Sequence, residues 1–315
     1  MASGEHVLMS CMKDEGPFVL EFVAHHLVLG FDRVLVASND CRDGTDAVLA
    51  ALAGAGFIGH LENVLKPGEI PQHAGYDKLR RRFGVDRADW LMMLDADEFL
   101  QVSVGAGRLR DLTAQAGGVD IIALNAVTFG TVPGHWAAGR VCAQFPLRLG
   151  LRDKINGAVK SLTRAPARFR GVHNHHMVGY RGPAPLRVMR GDGSVFELPP
   201  DVPLWSRLRA FPPAEIFHEL AHYNHYAIKT GDAYQLRRDR GRGAVAETTE
   251  ANLRHTDAYF AARAKAAIPD DRIAVYAPEV EAMMARMRAF PAIAAAQAEA
   301  EARYLALVMP FRAPD

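Results

Sequence analysis

Asp95 and Asp97 stand two positions apart at the end of the apolar run Trp90-Leu91-Met92-Met93-Leu94, and Glu98 follows at once. In extended backbone, side chains two apart point the same way, so the two carboxylates would project together. Carboxylates that close repel one another unless a cation lies between them, and hard divalent cations take oxygen ligands. The apolar run reads as a strand buried on both faces of a sheet. In open α/β sheets the ligand crevice lies outside the carboxyl ends of the strands. The pattern therefore predicts a Mg2+ or Mn2+ site for a phosphorylated ligand, in preference to the solvated turn that most Asp-rich tripeptides form.

Two further polar loops fall after predicted strands: Lys13-Asp14-Glu15 and Ser38-Asn39-Asp40. Three such loops on one sheet edge favour a single site, with carboxylates and an Asn suited to a base and ribose. Asp43 and Asp46 read equally well as a turn and a helix start. Lys160 suits a phosphate as a point charge. Of the basic run Lys78, Arg80, Arg81 and Arg82, only Arg80 is a candidate for the diphosphate, because four neighbouring positions on a helix cannot face one ligand. His173 and His175 share a strand face and offer a further metal ligand, and His222 and His225 form a second cluster. There is no GxGxxG after the first strand, no GxxxxGK[ST] and no GxSxG, which disfavours a dinucleotide dehydrogenase, a P-loop NTPase and an α/β-hydrolase. The histidines lack the paired cysteines of a structural zinc site.

The elements that must carry these residues alternate. Strands are predicted over 7–12, 33–37, 57–61, 90–94 and 120–125. Helices are predicted over 18–29, 46–55, 72–83 and 109–116, with Pro17 in a first helical turn and Gly30 as a cap. That tempo specifies parallel βαβ units. From 129 to 213 the texture becomes Gly-, Pro- and aromatic-rich, which reads as short strands and loops that shape an acceptor side. A strand end and an Arg-rich helix follow over 222–242. The tail from about 245 is mostly helical, and it either packs back on the sheet or forms an oligomer contact.

The 315 residues suffice for a full core, and 49% hydrophobic with 23% charged residues is ordinary for a globular protein. Lys plus Arg (37) nearly cancels Asp plus Glu (36), so no global field recruits nucleic acid or a membrane surface. Three scattered cysteines argue against a disulfide framework. The start of the sequence has no basic n-region, and no stretch reaches the ~20 apolar residues of a membrane span. A cytoplasmic location is expected.

Met12 to Phe18 with Glu21 to His26, Ser38 to Asp46, Leu94-Asp95-Ala96-Asp97-Glu98-Phe99, Lys160-Ser161-Leu162, Gly171-Val172-His173 and His225-Tyr226 ahead of the basic helix occur in this order. Together they resemble the motifs of a GT-A glycosyltransferase group, family-2-like and bacterial, related to the clan of the family 92 galactosyltransferases. The resemblance covers roughly residues 7–242 and leaves the tail outside. It implies a Rossmann-like, mostly parallel twisted sheet flanked by helices, with a glycosyltransferase domain over 1–242 and a helical extension over 243–315. It implies transfer of a sugar from a nucleotide-sugar, a UDP-sugar first, to a polysaccharide, lipid or protein acceptor with inversion.

By the same resemblance Asp95 and Asp97 hold Mn2+ or Mg2+ on the diphosphate, with Asp97 as the direct ligand, and His173 or His225 completes the site. Lys13, Asp14, Glu15 and Asp40 hold the nucleoside side of the donor. Asp14 departs from the Asn more common there. An inverting enzyme also needs a carboxylate to deprotonate the acceptor; Glu98, Asp153, Asp192 and Glu219 are all candidates, and none is singled out. Two other readings compete. A Mg2+-dependent phosphohydrolase or phosphotransferase also presents Asp-x-Asp at a strand end, but here the pair arrives on about the fourth strand. A non-catalytic nucleotide-sugar-binding module would keep the sheet without turnover. Oligomeric state is open.

Overall fold

The computed structural model describes residues 4–247, 249 and 253–312. The first half is built as the apolar runs dictate. Strands β1 (His6–Met12), β2 (Arg33–Ser38), β3 (Gly59–Glu62) and β4 (Trp90–Met93) are separated by helices α1 (Val19–Leu29), α2 (Thr45–Gly54) and α3 (Pro71–Arg82). Pro17 sits in a 3-10 turn, Gly16–Phe18, just ahead of α1, and Gly30 closes that helix with φ +110°. Val7 and Met9 face one core while Leu8 and Met12 face the other, so β1 is covered on both sides. This two-sided burial is why its sequence shows no polar alternation.

Beyond β4 the chain doubles back through β5 (Glu98–Val102), α4 (Leu109–Gln115) and β6 (Ile121–Thr128), the last fully buried. β5 is not anticipated from the sequence, where its residues read as the end of the β4 stretch. The Gly/Pro-rich region holds α5 (Val141–Gln144), β7 (Leu147–Arg148), β8 (Val159–Arg164), β9 (Phe169–Val172), β10 (Met177–Tyr180), β11 (Leu186–Met189), β12 (Val195–Leu198) and α6 (Leu204–Leu208). Then come β13 (Ala221–His225), α7 (Gly231–Asp239), α8 (Asp257–Ala264), β14 (Ile268–Pro269), α9 (Ala277–Arg288) and α10 (Pro291–Val308).

The main sheet runs β12-β11-β6-β8-β4-β1-β2-β3, and β13 joins it between β6 and β5. β3, β2, β1 and β4 are mutually parallel, β8 inserts antiparallel between β4 and β6, and β11 and β13 run parallel to β6. The fold class is the expected one: α/β, a mostly parallel sheet flanked by helices, with a helical C-terminal tail.

The tail packs back on the sheet's helices. Met287, Ile293, Ala300, Tyr304 and Val308 are buried in the same core as Leu8 and Phe22. The Tyr304 ring meets Phe18 at 5.3 Å and Trp136 at 4.7 Å, and Gln297 donates to the Pro17 carbonyl. Arg312 donates to Asp232, the buried carboxylate that also accepts the Trp136 and Ala233 amides and the Thr230 hydroxyl at the start of α7.

Glu21 is buried in α1, where it accepts the Val141 amide at 2.5 Å and the Cys142 amide at 3.2 Å. Burial pushes its pKa up to about 7, against the pull of those two amides, from an ordinary value of 4.5. Between these values the unfolded chain releases a proton that the folded chain keeps, so folding stability should fall as pH rises from about 4.5 through about 7. Glu21→Gln should flatten that part of a pH series of urea midpoints; an unchanged slope would show that Glu21 is ionised in the fold throughout.

Candidate functional site

The carboxyl ends of β1, β2 and β4 open into one cavity of about 380 Å3, lined among others by Lys13, Glu15, Asn39, Asp40, Asp95 and Asp97. Its opposite wall comes from α7 and the segment after it, with Arg237, Arg240, Arg242, Arg254 and His255. Helix α3 reaches the floor because Gly75 packs where a Cβ would lie 2.7 Å from the Cys11 sulfur and 3.2 Å from Ala37. That close approach carries Gln72 to Asp95, whose Oδ1 accepts the Gln72 amide at 2.9 Å.

The two aspartates are held by different cations. Lys160, 1% exposed on β8, bonds Asp95 at 3.1 Å and Glu98 at 2.8 Å. Arg237 donates to Asp97, and His225 Nε2 on β13 lies 3.6 Å from the same Oδ2. Burial alone would raise both carboxylates. The Lys160 ammonium keeps Asp95 below its ordinary range, and the Arg237 guanidinium with His225 holds Asp97 well below it. Both are therefore anionic at neutral pH. The repulsion anticipated from their spacing is relieved within the protein itself, by Lys160 and Arg237.

Glu98 behaves differently. Burial pushes its pKa up to about 8 despite the opposing pull of Lys160, and its Oε2 accepts the Asp95 amide at 2.8 Å. It does not line the cavity; its contacts fix the Asp95–Asp97 reversal between β4 and β5. Glu219 is exposed, accepts the neighbouring His218 amide, and is likewise outside the cavity wall. Neither placement suits a base acting on an acceptor at the Asp97 side.

Of the expected donor-binding residues, Lys13, Glu15, Asn39 and Asp40 share the cavity. Arg240 bonds Glu15 at 2.5 Å, and Asn39 donates to the exposed Asp40. Asp14 and Asp40 both take left-handed backbone, φ +50° and +47°, which turns each loop sharply at the strand end. Asp14 itself is buried and turned away, accepting the Arg42 amide and guanidinium at 2.7 and 2.9 Å. Ser38 bonds His60 beneath the rim. Arg80 points inward as expected but is engaged away from the cavity, where it bonds Asp86 and the carbonyls of Pro166 and Phe169 and so clasps α3 to β9.

The histidines separate. His175 Nδ1 donates to the Val159 carbonyl at 2.7 Å, and burial with the nearby Lys160 lowers its pKa to about 3. His173 stacks instead against His175 and His176, lies tilted against His73 and meets Trp205 edge-on. Among the described residues no group of three or more His, Cys, Asp or Glu converges as a complete metal cage.

Gln72, Asn174, Arg237, Arg240, Arg254 and His255 reach the cavity without having been singled out from the sequence. A signal existed for two of them: Arg237 and Arg240 are three apart in the Arg-rich helix after His225-Tyr226, a spacing that places both on one face.

No family model matches the chain. A glycosyltransferase family 92 protein from Ricinus communis is 23% identical over 179 residues, covering 55% of this chain and 32% of that protein. The chain thus spans about a third of the length of the curated relative it matches. Among solved structures, S. aureus TarS 1-349 in complex with UDP is 11% identical over 51% of this chain and 47% of that chain, with a TM-score of 0.32. Glucosyl-3-phosphoglycerate synthase from Mycobacterium tuberculosis, in complex with Mn2+, UDP and glucosyl-3-phosphoglycerate, is 13% identical over 41% of this chain and 46% of that chain, with a TM-score of 0.26. No helix among the described residues is long and apolar enough to cross a membrane. In sequence the chain is similar to a family 92 glycosyltransferase, the clan that its ordered motifs resemble.

Proposed function

We propose that the chain is a metal-dependent glycosyltransferase that takes a sugar from a nucleotide-sugar, a UDP-sugar first, to a saccharide, lipid-linked or protein acceptor. The observation that carries this reading is the convergence of three parallel strand ends on one cavity, where Asp95 and Asp97 face the guanidinium groups of Arg237 and Arg240. A cavity of this size suits a small, highly polar ligand. Its mixture of anions and paired cations suits a diphosphate.

The donor set fits a divalent ion. Mn2+ or Mg2+ on a diphosphate is held by one or two carboxylates and takes its remaining oxygens from phosphate and water. Asp97 is ionised, Asp95 is 29% exposed toward the cavity, and burial, against the pull of Asp97, keeps the His225 imidazole neutral. Asp95 and Asp97 would hold the ion, and His225, 3.6 Å from Asp97 Oδ2, would brace that carboxylate from behind. Bound there, the ion stabilises the departing diphosphate as a Lewis acid. Arg237 and Arg240 offer planar donor pairs to the phosphate oxygens. Lys160 and Glu98 hold the Asp95 loop in place, and Asn39 with Asp40 face the nucleoside at the rim.

A thermal-shift panel of UDP-, GDP- and dTDP-sugars with and without Mn2+ tests the reading. A nucleotide at ~100 times its Kd contributes about 2.7 kcal/mol, a shift of a few degrees. UDP-sugars are expected to raise Tm only with Mn2+ present. No shift with any nucleotide would overturn the donor site, and a shift indifferent to Mn2+ would overturn the metal.

A further inference from the structure

Next to the donor cavity lies a second constellation. Trp205 on α6 is 43% exposed, whereas Trp90 and Trp136 are 4% and 5% exposed. Its indole meets the His173 ring at 4.8 Å, and the Arg209 guanidinium lies 4.6 Å from its ring centroid. The His173 ring also lies 5.1 Å from that of His73, tilted against it. The sequence neighbours of both histidines, Asn174 and Gln72, line the cavity. His173 Nδ1 and Asn174 Oδ1 are shut off from solvent, yet neither has a hydrogen-bond partner. Buried polar atoms are nearly always paired, so a turn of either side chain toward the cavity rim would let a ligand hydroxyl satisfy it.

A sugar ring meets that requirement. Its C–H face packs on an aromatic plane, as apolar surface does, while its hydroxyls donate to and accept from nearby polar atoms. The charge around the constellation narrows the class. Arg209 sits on the indole, and Arg242 and Arg254 stand on the adjoining cavity wall. An anionic group on a ring laid against the indole would meet the Arg209 guanidinium, with Arg254 on the adjoining wall.

We propose that Trp205, Arg209, His173 and Asn174 form an acceptor subsite for an anionic sugar, with the ring on the indole and its carboxylate or phosphate on Arg209. The subsite rests on the glycosyltransferase reading and specifies its acceptor.

The test uses tryptophan fluorescence of the whole protein, because Trp205 is the exposed one of three tryptophans. Methyl β-glucuronide, glucose 6-phosphate and methyl β-glucoside are titrated in turn. At least one anionic sugar is expected to change the emission with an affinity about tenfold above the neutral glucoside, falling as salt rises. The arm that responds tells carboxylate from phosphate. Trp205→Phe should abolish the signal. Arg209→Gln should keep it while removing the preference for the anion. Equal affinity for the neutral sugar, no response to either anion, or an unchanged preference in Arg209→Gln would overturn the subsite. UDP with Mn2+ is measured by thermal shift on the same samples. A UDP shift without sugar binding rejects the subsite alone, and sugar binding without a UDP shift rejects the donor reading alone.

Discussion

Asp97→Asn is expected to lower sugar transfer by about a thousandfold, the scale on which a single charge-stabilising group aimed at a transition state acts. Asparagine keeps the shape and one acceptor oxygen, so the reversal between β4 and β5 stays in place, while Tm should fall because the Arg237 guanidinium loses its countercharge. What it removes is the negative charge that Arg237 and His225 stabilise. Without that charge a bound ion would keep Asp95 alone as its anionic protein ligand and would stabilise the departing diphosphate less. The measurement is UDP release from a UDP-sugar across a Mn2+ series, with Tm recorded for the same samples. A rate close to that of the unaltered protein at every Mn2+ concentration would show that Asp97 does not act through a metal.

Arg237→Ala acts on the opposite partner and is expected to show itself first in stability. Asp97 is 2% exposed and the Arg237 side chain 17%, so the pair is largely shielded from water. Deleting one member of a buried pair strands the other charge, at a cost of about 3–5 kcal/mol. In a chain of this length that corresponds to a Tm lowered by roughly 5–8 °C. Mn2+ should recover part of the loss, because a cation at Asp97 restores the missing countercharge, and it should raise Tm more in Arg237→Ala than in the unaltered protein. Equal Mn2+ effects in the two proteins would place the ion elsewhere.

Much of this site is written locally. Asp95 and Asp97 are legible because an apolar run buried on both faces can end only at a sheet edge, and the loops after β1 and β2 obey the same rule. The strand boundaries of the first half follow from that burial, and Gly30 announces the end of α1. The misplaced residues are those whose partners lie far along the chain. Arg80 reads as an inward basic residue, but the carbonyls it bonds belong to Pro166 and Phe169. Asp14 reads as a rim acid, but Arg42 draws it under the loop. Glu98 reads as a base beside the metal, although it begins β5, a strand hidden because the reversal after Leu94 occupies only Asp95 to Asp97. The Arg-rich stretch over 237–242 is plain as charge. Nothing near it in sequence reveals that Arg237 meets a carboxylate 140 positions earlier.

The tie between Arg312 and Asp232 bears on the order in which the protein is made. Asp232 opens the helix that presents Arg237 and Arg240, and its partners arrive from both directions along the chain: Trp136 long before it, Arg312 eighty residues after. Tyr304 likewise closes over Phe18, which leaves the ribosome long before it. Folding that proceeds from the N-terminus can pair β1, β2 and β4 early. The guanidinium wall is set only once α10 has emerged and docked. A nascent chain would therefore display its acidic half-site well before it possessed the basic half that balances it.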